Sequence, residues 1–181
     1  MRKNKKITIS AMCMALGVLF MTIGTFLEVL DITAAAISSC LMAFVFIEVG
    51  QKYAFSVWLG TSLLGFILIP GLTPITYFLV FGIYPILKAY VEKLKRPLWI
   101  PIKLVIFVVS TVLIILASSL MGIPFFSDTL GVPFFENNVN LFRGIVIVLL
   151  ILAMYLYDIF MTVMIRAYFT TFRKRIQSIL K

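Results

Sequence analysis

Residues 1–31 read MRKNKKITISAMCMALGVLFMTIGTFLEVLD: four basic residues, an uninterrupted apolar run from Ile7 to Leu27, then the acids Glu28 and Asp31. At 1.5 Å per residue, such a run makes about 31 Å of helix, enough for a hydrocarbon core about 30 Å thick. Membrane proteins keep their Lys and Arg excess on the cytoplasmic side, so the stretch predicts both a membrane helix and its direction, with the N terminus inside. A secretory signal starts the same way, but its apolar core is usually about 7–15 residues and ends at a small-residue cleavage site. This run is longer and no such site follows, so it is read as a retained first span.

The rest of the chain repeats the pattern. Of 181 residues, 62% are hydrophobic and 13% charged, against roughly 45–50% apolar usage in soluble domains. The expected fold is an all-α membrane protein, a single-domain bundle of six transmembrane helices with spans near 7–27, 33–49, 53–69, 74–89, 101–121 and 143–169. Lys52 follows the second span, Lys88, Lys93, Lys95, Arg96 and Lys103 surround the fourth-to-fifth connection, and five basic residues run from Arg166 to Lys181. Only Arg143 falls on the opposite side. An N-in/C-in, multi-pass protein of the cell membrane follows, with Trp99 as an interfacial anchor.

Clustering of the basic residues at helix ends explains the net charge of +9 by topology and anionic lipid, and no nucleic-acid partner is expected. Cys13 and Cys40 sit in different spans and fit neither a disulfide framework nor a metal set. Glu48 and Lys52, four apart, can pair on a helix surface. Pro85, unable to donate to the preceding turn, is expected to kink the fourth span.

The outer face carries the polar candidates. Gly122-Ile-Pro-Phe-Phe126 is repeated as Gly131-Val-Pro-Phe-Phe135, with Asp128 and Glu136 behind the aromatic pairs. Long irregular loops are often lids or binding loops, although an interfacial hairpin sealing the bundle reads the same residues equally well. The candidate substrate-binding set is Glu28, Asp31, Thr76, Tyr77, Ser118, Ser119, Asp128, Glu136, Asn137, Asn138, Asn140 and Arg143. A concave site with apolar walls and a few converging polar groups is the usual form of a small-molecule pocket; solvated loop charge is the competing reading.

Near the inner end, Ala11 and Ala15 leave a notch on the first helix where another backbone can approach, in this bundle or in a partner. Gly17 and Gly24 offer a second narrow face for internal packing. Asp158 is the one acid well inside a span, about 22 Å along the last helix from Arg143. A buried ionisable residue is a functional candidate by default, but its reading stays open between a structural hydrogen bond and a coupling role, with Arg166 able to approach the same face.

With no histidine, no phosphate-binding glycine loop and no nucleophile beside a base, the chain is not expected to be an enzyme, and no cofactor is expected. A channel would show a polar stripe through several spans, and an autonomous transporter two repeated halves. A small six-span chain whose basic N terminus leads straight into Ala11-x-x-x-Ala15 resembles the substrate-binding S component of energy-coupling-factor (ECF) vitamin transporters. The segment from Ile47-Glu-Val-Gly50 to Tyr84-Pro-Ile-Leu-Lys88 also resembles small six-span membrane proteins of Gram-positive bacteria. The ECF resemblance implies that Ala11 and Ala15 contact a transmembrane coupling subunit, that two cytosolic ATPase subunits drive the cycle, and that a small-molecule substrate sits beneath the outer loops. The alternatives are a scaffold resembling the small multispan subunit of the bacterial cell-shape machinery, and a small independent carrier in which Asp158 relays protons.

Overall fold

In the computed structural model, residues 3–27, 31–120 and 139–173 are described, and they are all-helical, with no strand among them. Helix α1 spans Lys3–Phe26, α2 Asp31–Glu48 and α3 Gln51–Leu68. Helix α4, Thr73–Thr76, runs directly into a π-helical segment, Tyr77–Phe81, and after Gly82 and Ile83 the chain resumes as α5, Tyr84–Val91. A 3-10 turn, Arg96–Leu98, leads into α6, Trp99–Leu120, and α7, Val139–Ala167, continues as a second π segment, Tyr168–Phe172.

Five of these stretches are long and apolar enough to cross a membrane: Lys3–Phe26, Asp31–Glu48, Thr73–Val91, Trp99–Leu120 and Asn140–Thr171. Helix α3 matches α2 in length but opens on Gln51 and Lys52 and carries Thr61 and Ser62 at its centre, so it stands outside that count. Helix α1 starts four residues earlier than its apolar run, because the Lys side chains can reach back to a polar surface while their backbone stays helical.

Helix directions follow from the contacts. Ser38 of α2 donates a hydrogen bond to the Gly17 carbonyl of α1 at 2.8 Å, and a β-carbon on Gly17 would meet the Thr61 side chain of α3 at 3.3 Å. A glycine and two small hydroxyl residues thus bring three backbones together, the usual way helices pack where lipid removes the hydrophobic drive. The buried face of α1 is Ser10, Cys13, Gly17, Val18, Met21 and Gly24, at helical spacing. Helices α2 and α7 run side by side in the same direction: Ser39 meets Tyr157, Cys40 meets Met161, Phe44 meets Tyr168 and Glu48 meets Arg173. One end of the bundle is therefore the basic end, where α1 begins and α2 and α7 finish; the other, the far end, holds the starts of α2 and α4.

Two local expectations change. Gly50 takes φ 117°, closed to most side chains, and ends α2 with its N–H on the Val45 carbonyl at 3.0 Å. Glu48 and Lys52 consequently lie on separate helices, and Glu48 meets Arg173 at 3.4 Å instead. The break that Pro85 was expected to make falls one turn earlier, at Gly82 and Ile83; Pro85 occupies the first turn of α5 and has no N–H to give to the carbonyl four residues back.

The irregular backbone is supported from the side. Gly82 N–H bonds five residues back to the Tyr77 carbonyl at 2.7 Å, and the Phe78 carbonyl takes the indole N–H of Trp58 at 3.1 Å. Pro85 cannot serve the Phe81 carbonyl, and the Tyr157 hydroxyl approaches it at 3.4 Å. Buried carbonyls without donors are costly in an apolar surround, so Trp58 and Tyr157 are what allow this segment to stay bent.

Candidate functional site

Because α4 and its π segment lean on Trp58 and Tyr157, the far half of the bundle stays open. A cavity of about 720 Å³ lies there, walled by the start of α2, by α4 and by the middle of α6 and of α7. Its polar lining is Asp31, Thr33, Thr73, Thr76 and Thr111; Phe81 and Tyr157 lie on the side toward the basic end. The size falls inside the range of about 300–1,000 Å³ typical of small-molecule pockets.

Of the sequence candidates, the cavity gathers Asp31 and Thr76. Tyr77, one position on, turns into the core and is 0% exposed. Ser118 is buried but spends its hydroxyl on the Ile115 carbonyl at 2.8 Å, and Ser119 is exposed; neither lines the cavity. Asn140 and Arg143 are exposed on the first turns of α7, away from the lining. Glu28, Asp128, Glu136, Asn137, Asn138 and both Phe-Phe repeats lie outside the described residues.

Ala11 and Ala15 are exposed on the side of α1 opposite its buried face, so they do not pack within the bundle, whereas Gly17 and Gly24 do. Thr111 and Tyr157 were not among the candidates. Thr111 shares the buried face of α6 with Phe107, Ile114 and Ser118, and that spacing of polar residues inside an apolar run was the available signal.

A second feature adjoins the cavity at Asp158, next to the lining residue Tyr157. The Lys88 ammonium, 2% exposed, pairs with Asp158 Oδ1 and reaches Glu92 Oε1 at 2.9 Å and Thr162 Oγ1 at 2.8 Å. Lys103 meets Asp158 Oδ2 at 2.8 Å and Glu92 Oε1 at 3.3 Å. Tyr84 donates to Asp158 Oδ1 at 2.6 Å. Two ammonium groups and two carboxylates balance, tying α5, α6 and α7 together.

Lys88 and Lys103, counted above as loop charges, are thus partners inside the bundle. Arg166 is exposed and takes no part in the cluster. A Lys inside the fourth and fifth spans each, matched with an acid inside the sixth, was visible in sequence. It went unused because both lysines lie close enough to span ends to pass for topological charge.

Aromatic rings separate the cavity from the cluster. Phe81 and Tyr157 meet edge to face at 4.9 Å, Tyr157 and Tyr84 lie 5.2 Å apart, and Tyr84 packs on Phe107 at 5.8 Å. The cavity therefore ends in a ring layer backed by an ion-pair network.

The geometry defines a class: a helical membrane-type bundle with a closed-bottomed pocket at one end. No family model, curated protein or solved structure matches this chain.

Proposed function

We propose that the protein is a membrane-embedded binding subunit that captures a small molecule in the far-end cavity. The observation that carries this reading is the cavity itself, of ligand size, mostly apolar and furnished with a few polar groups. The aromatic layer and the Lys88, Lys103, Glu92 and Asp158 network stop it short of the basic end, which favours a receptor over a pore. In this reading α3 completes six traverses, both termini and the basic end face the cytoplasm, and the cavity faces outward.

The resemblance to ECF S components extends the proposal. The subunit delivers a vitamin or other small nutrient through a transmembrane coupling subunit and two cytosolic ATPases, and Ala11 and Ala15, exposed on α1, form the contact with the coupling subunit. Asp158 holds the bundle together. Two lysines and a tyrosine already engage its carboxylate, which speaks against a proton relay.

The test is mass spectrometry of the compounds and proteins that co-purify with the chain in mild detergent. Recovery of a vitamin-sized compound with a multispan membrane protein and an ATPase supports the proposal. Recovery of cell-wall or cytoskeletal proteins without any small compound would overturn it in favour of a scaffold.

A further inference from the structure

The chemistry of the cavity wall restricts what it can hold. Among the described residues, Asp31 is the one charged residue in the lining, and no Lys or Arg joins it. Its Oδ1 atom is buried and has no hydrogen-bond partner. Two of the four lining threonines have spent their hydrogens. Thr76 donates to the Thr73 carbonyl at 2.9 Å and Thr111 to the Phe107 carbonyl at 2.9 Å. Ser39 gives its own hydrogen to the Ala36 carbonyl at 2.5 Å, so Tyr157 donates to Ser39 Oγ, also at 2.5 Å, or to the Phe81 carbonyl.

Toward the cavity stand oxygen lone pairs, the Asp31 carboxylate and the rings of Phe81, Tyr157 and Phe160. Each of these attracts positive charge or a hydrogen-bond donor: the carboxylate by Coulomb force, the oxygens as acceptors, the rings through their negative faces.

The position of Asp31 in the first turn of α2 has a simpler reading, as an acid complementing the helix dipole. That dipole amounts to about half a positive charge, so a full carboxylate leaves the site net negative.

The geometry points to a hydrophobic organic cation as the ligand, a protonated amine or cationic heteroaromatic nitrogen set against Asp31 with its apolar body between α4, α6 and α7. This inference rests on the binding-subunit reading and narrows its substrate class.

The experiment compares three probes that share a naphthylpropyl body and end in an ammonium, a hydroxyl or a carboxylate, titrated against the full chain in nanodiscs. The ammonium should bind about tenfold or more tighter than the alcohol, the margin expected of one charge-assisted hydrogen bond, and the carboxylate weakest. Asp31→Asn should remove the preference for the ammonium over the alcohol; Asp31→Glu should keep it, which covers loss of fold in the first variant.

Ala153 lines the cavity from an exposed position on α7, so Ala153→Trp fills the site without entering the core and should weaken all three probes. Equal affinities, or tightest binding of the carboxylate, with sensitivity to Ala153→Trp retained, would overturn the cation assignment and leave the binding-subunit reading standing. Absence of binding by all three, or binding that ignores Ala153→Trp, would overturn both.

Discussion

Replacing Asp158 with leucine removes one of the two carboxylates that Lys88 and Lys103 share. The cluster then holds two ammonium groups against Glu92 alone, an excess of one positive charge around a lysine that is 2% exposed. Breaking a buried ion pair from one side costs about 3–5 kcal/mol. Glu92, with 35% of its side chain exposed, can still approach Lys88, which places the expected loss near the lower figure, about 3 kcal/mol.

Adding Lys88→Met restores neutrality, because Lys103 and Glu92 remain 3.3 Å apart as a matched pair. Apolar replacement of a whole buried pair is often neutral or stabilising, so the double variant should return to within about 1 kcal/mol of the native protein. Lys88→Met alone leaves the opposite excess and should cost about 3 kcal/mol. The assay is reversible unfolding in mixed detergent micelles, followed by circular dichroism across the four proteins. An additive double variant, or an Asp158→Leu protein as stable as the native one, would refute the claim that these residues act as one charge-balanced unit.

Further outcomes follow from the bent α4 segment and from α1. Gly82→Ala would drive a β-carbon into the Trp58 indole and the Tyr77 carbonyl; Trp58 is held by its hydrogen bond and by a parallel stack on Phe78 at 5.0 Å, so a loss of about 1–3 kcal/mol is expected, read by thermal unfolding in detergent. Trp58→Phe keeps an aromatic ring but strips the Phe78 carbonyl of its donor, for an expected loss of about 1–3 kcal/mol in the same assay. Phenylalanine at both Ala11 and Ala15 should leave unfolding of the isolated chain unchanged, because both positions are exposed, and should abolish co-purification of a coupling subunit. Retained co-purification would remove Ala11 and Ala15 from the proposed contact.

Much of the fold was legible in sequence because lipid imposes a simple code: apolar runs of fixed length, with charge at their ends. The runs beginning at Ile7 and Thr33 gave α1 and α2 to within a few residues. The code failed where a residue had a second use. Lys88 and Lys103 look like interfacial charge and act as partners of Asp158 across some 55–70 residues of chain, a match that no local pattern announces.

The interruption of the fourth span was legible from Pro85, which leaves the Phe81 carbonyl without a helical donor, whereas the side chains that reach in from α3 and α7 to support the irregular segment were not. Asp31 and Thr76 were found in the cavity because they stand near span ends, Asp31 opening α2 and Thr76 closing the short α4. Thr111 and Tyr157 come from the middle of apolar runs, where one polar residue reads as packing until the facing helices are known.

The central claim is that the far-end cavity holds a small molecule. Native mass spectrometry of the chain released from lipid nanodiscs, with and without Ala153→Trp, tests it most directly. The native protein should retain one non-lipid molecule per chain, and the variant, with circular dichroism and unfolding behaviour unchanged, should retain none. A native protein that carries only lipid, or a variant that keeps the same small molecule, would contradict the account.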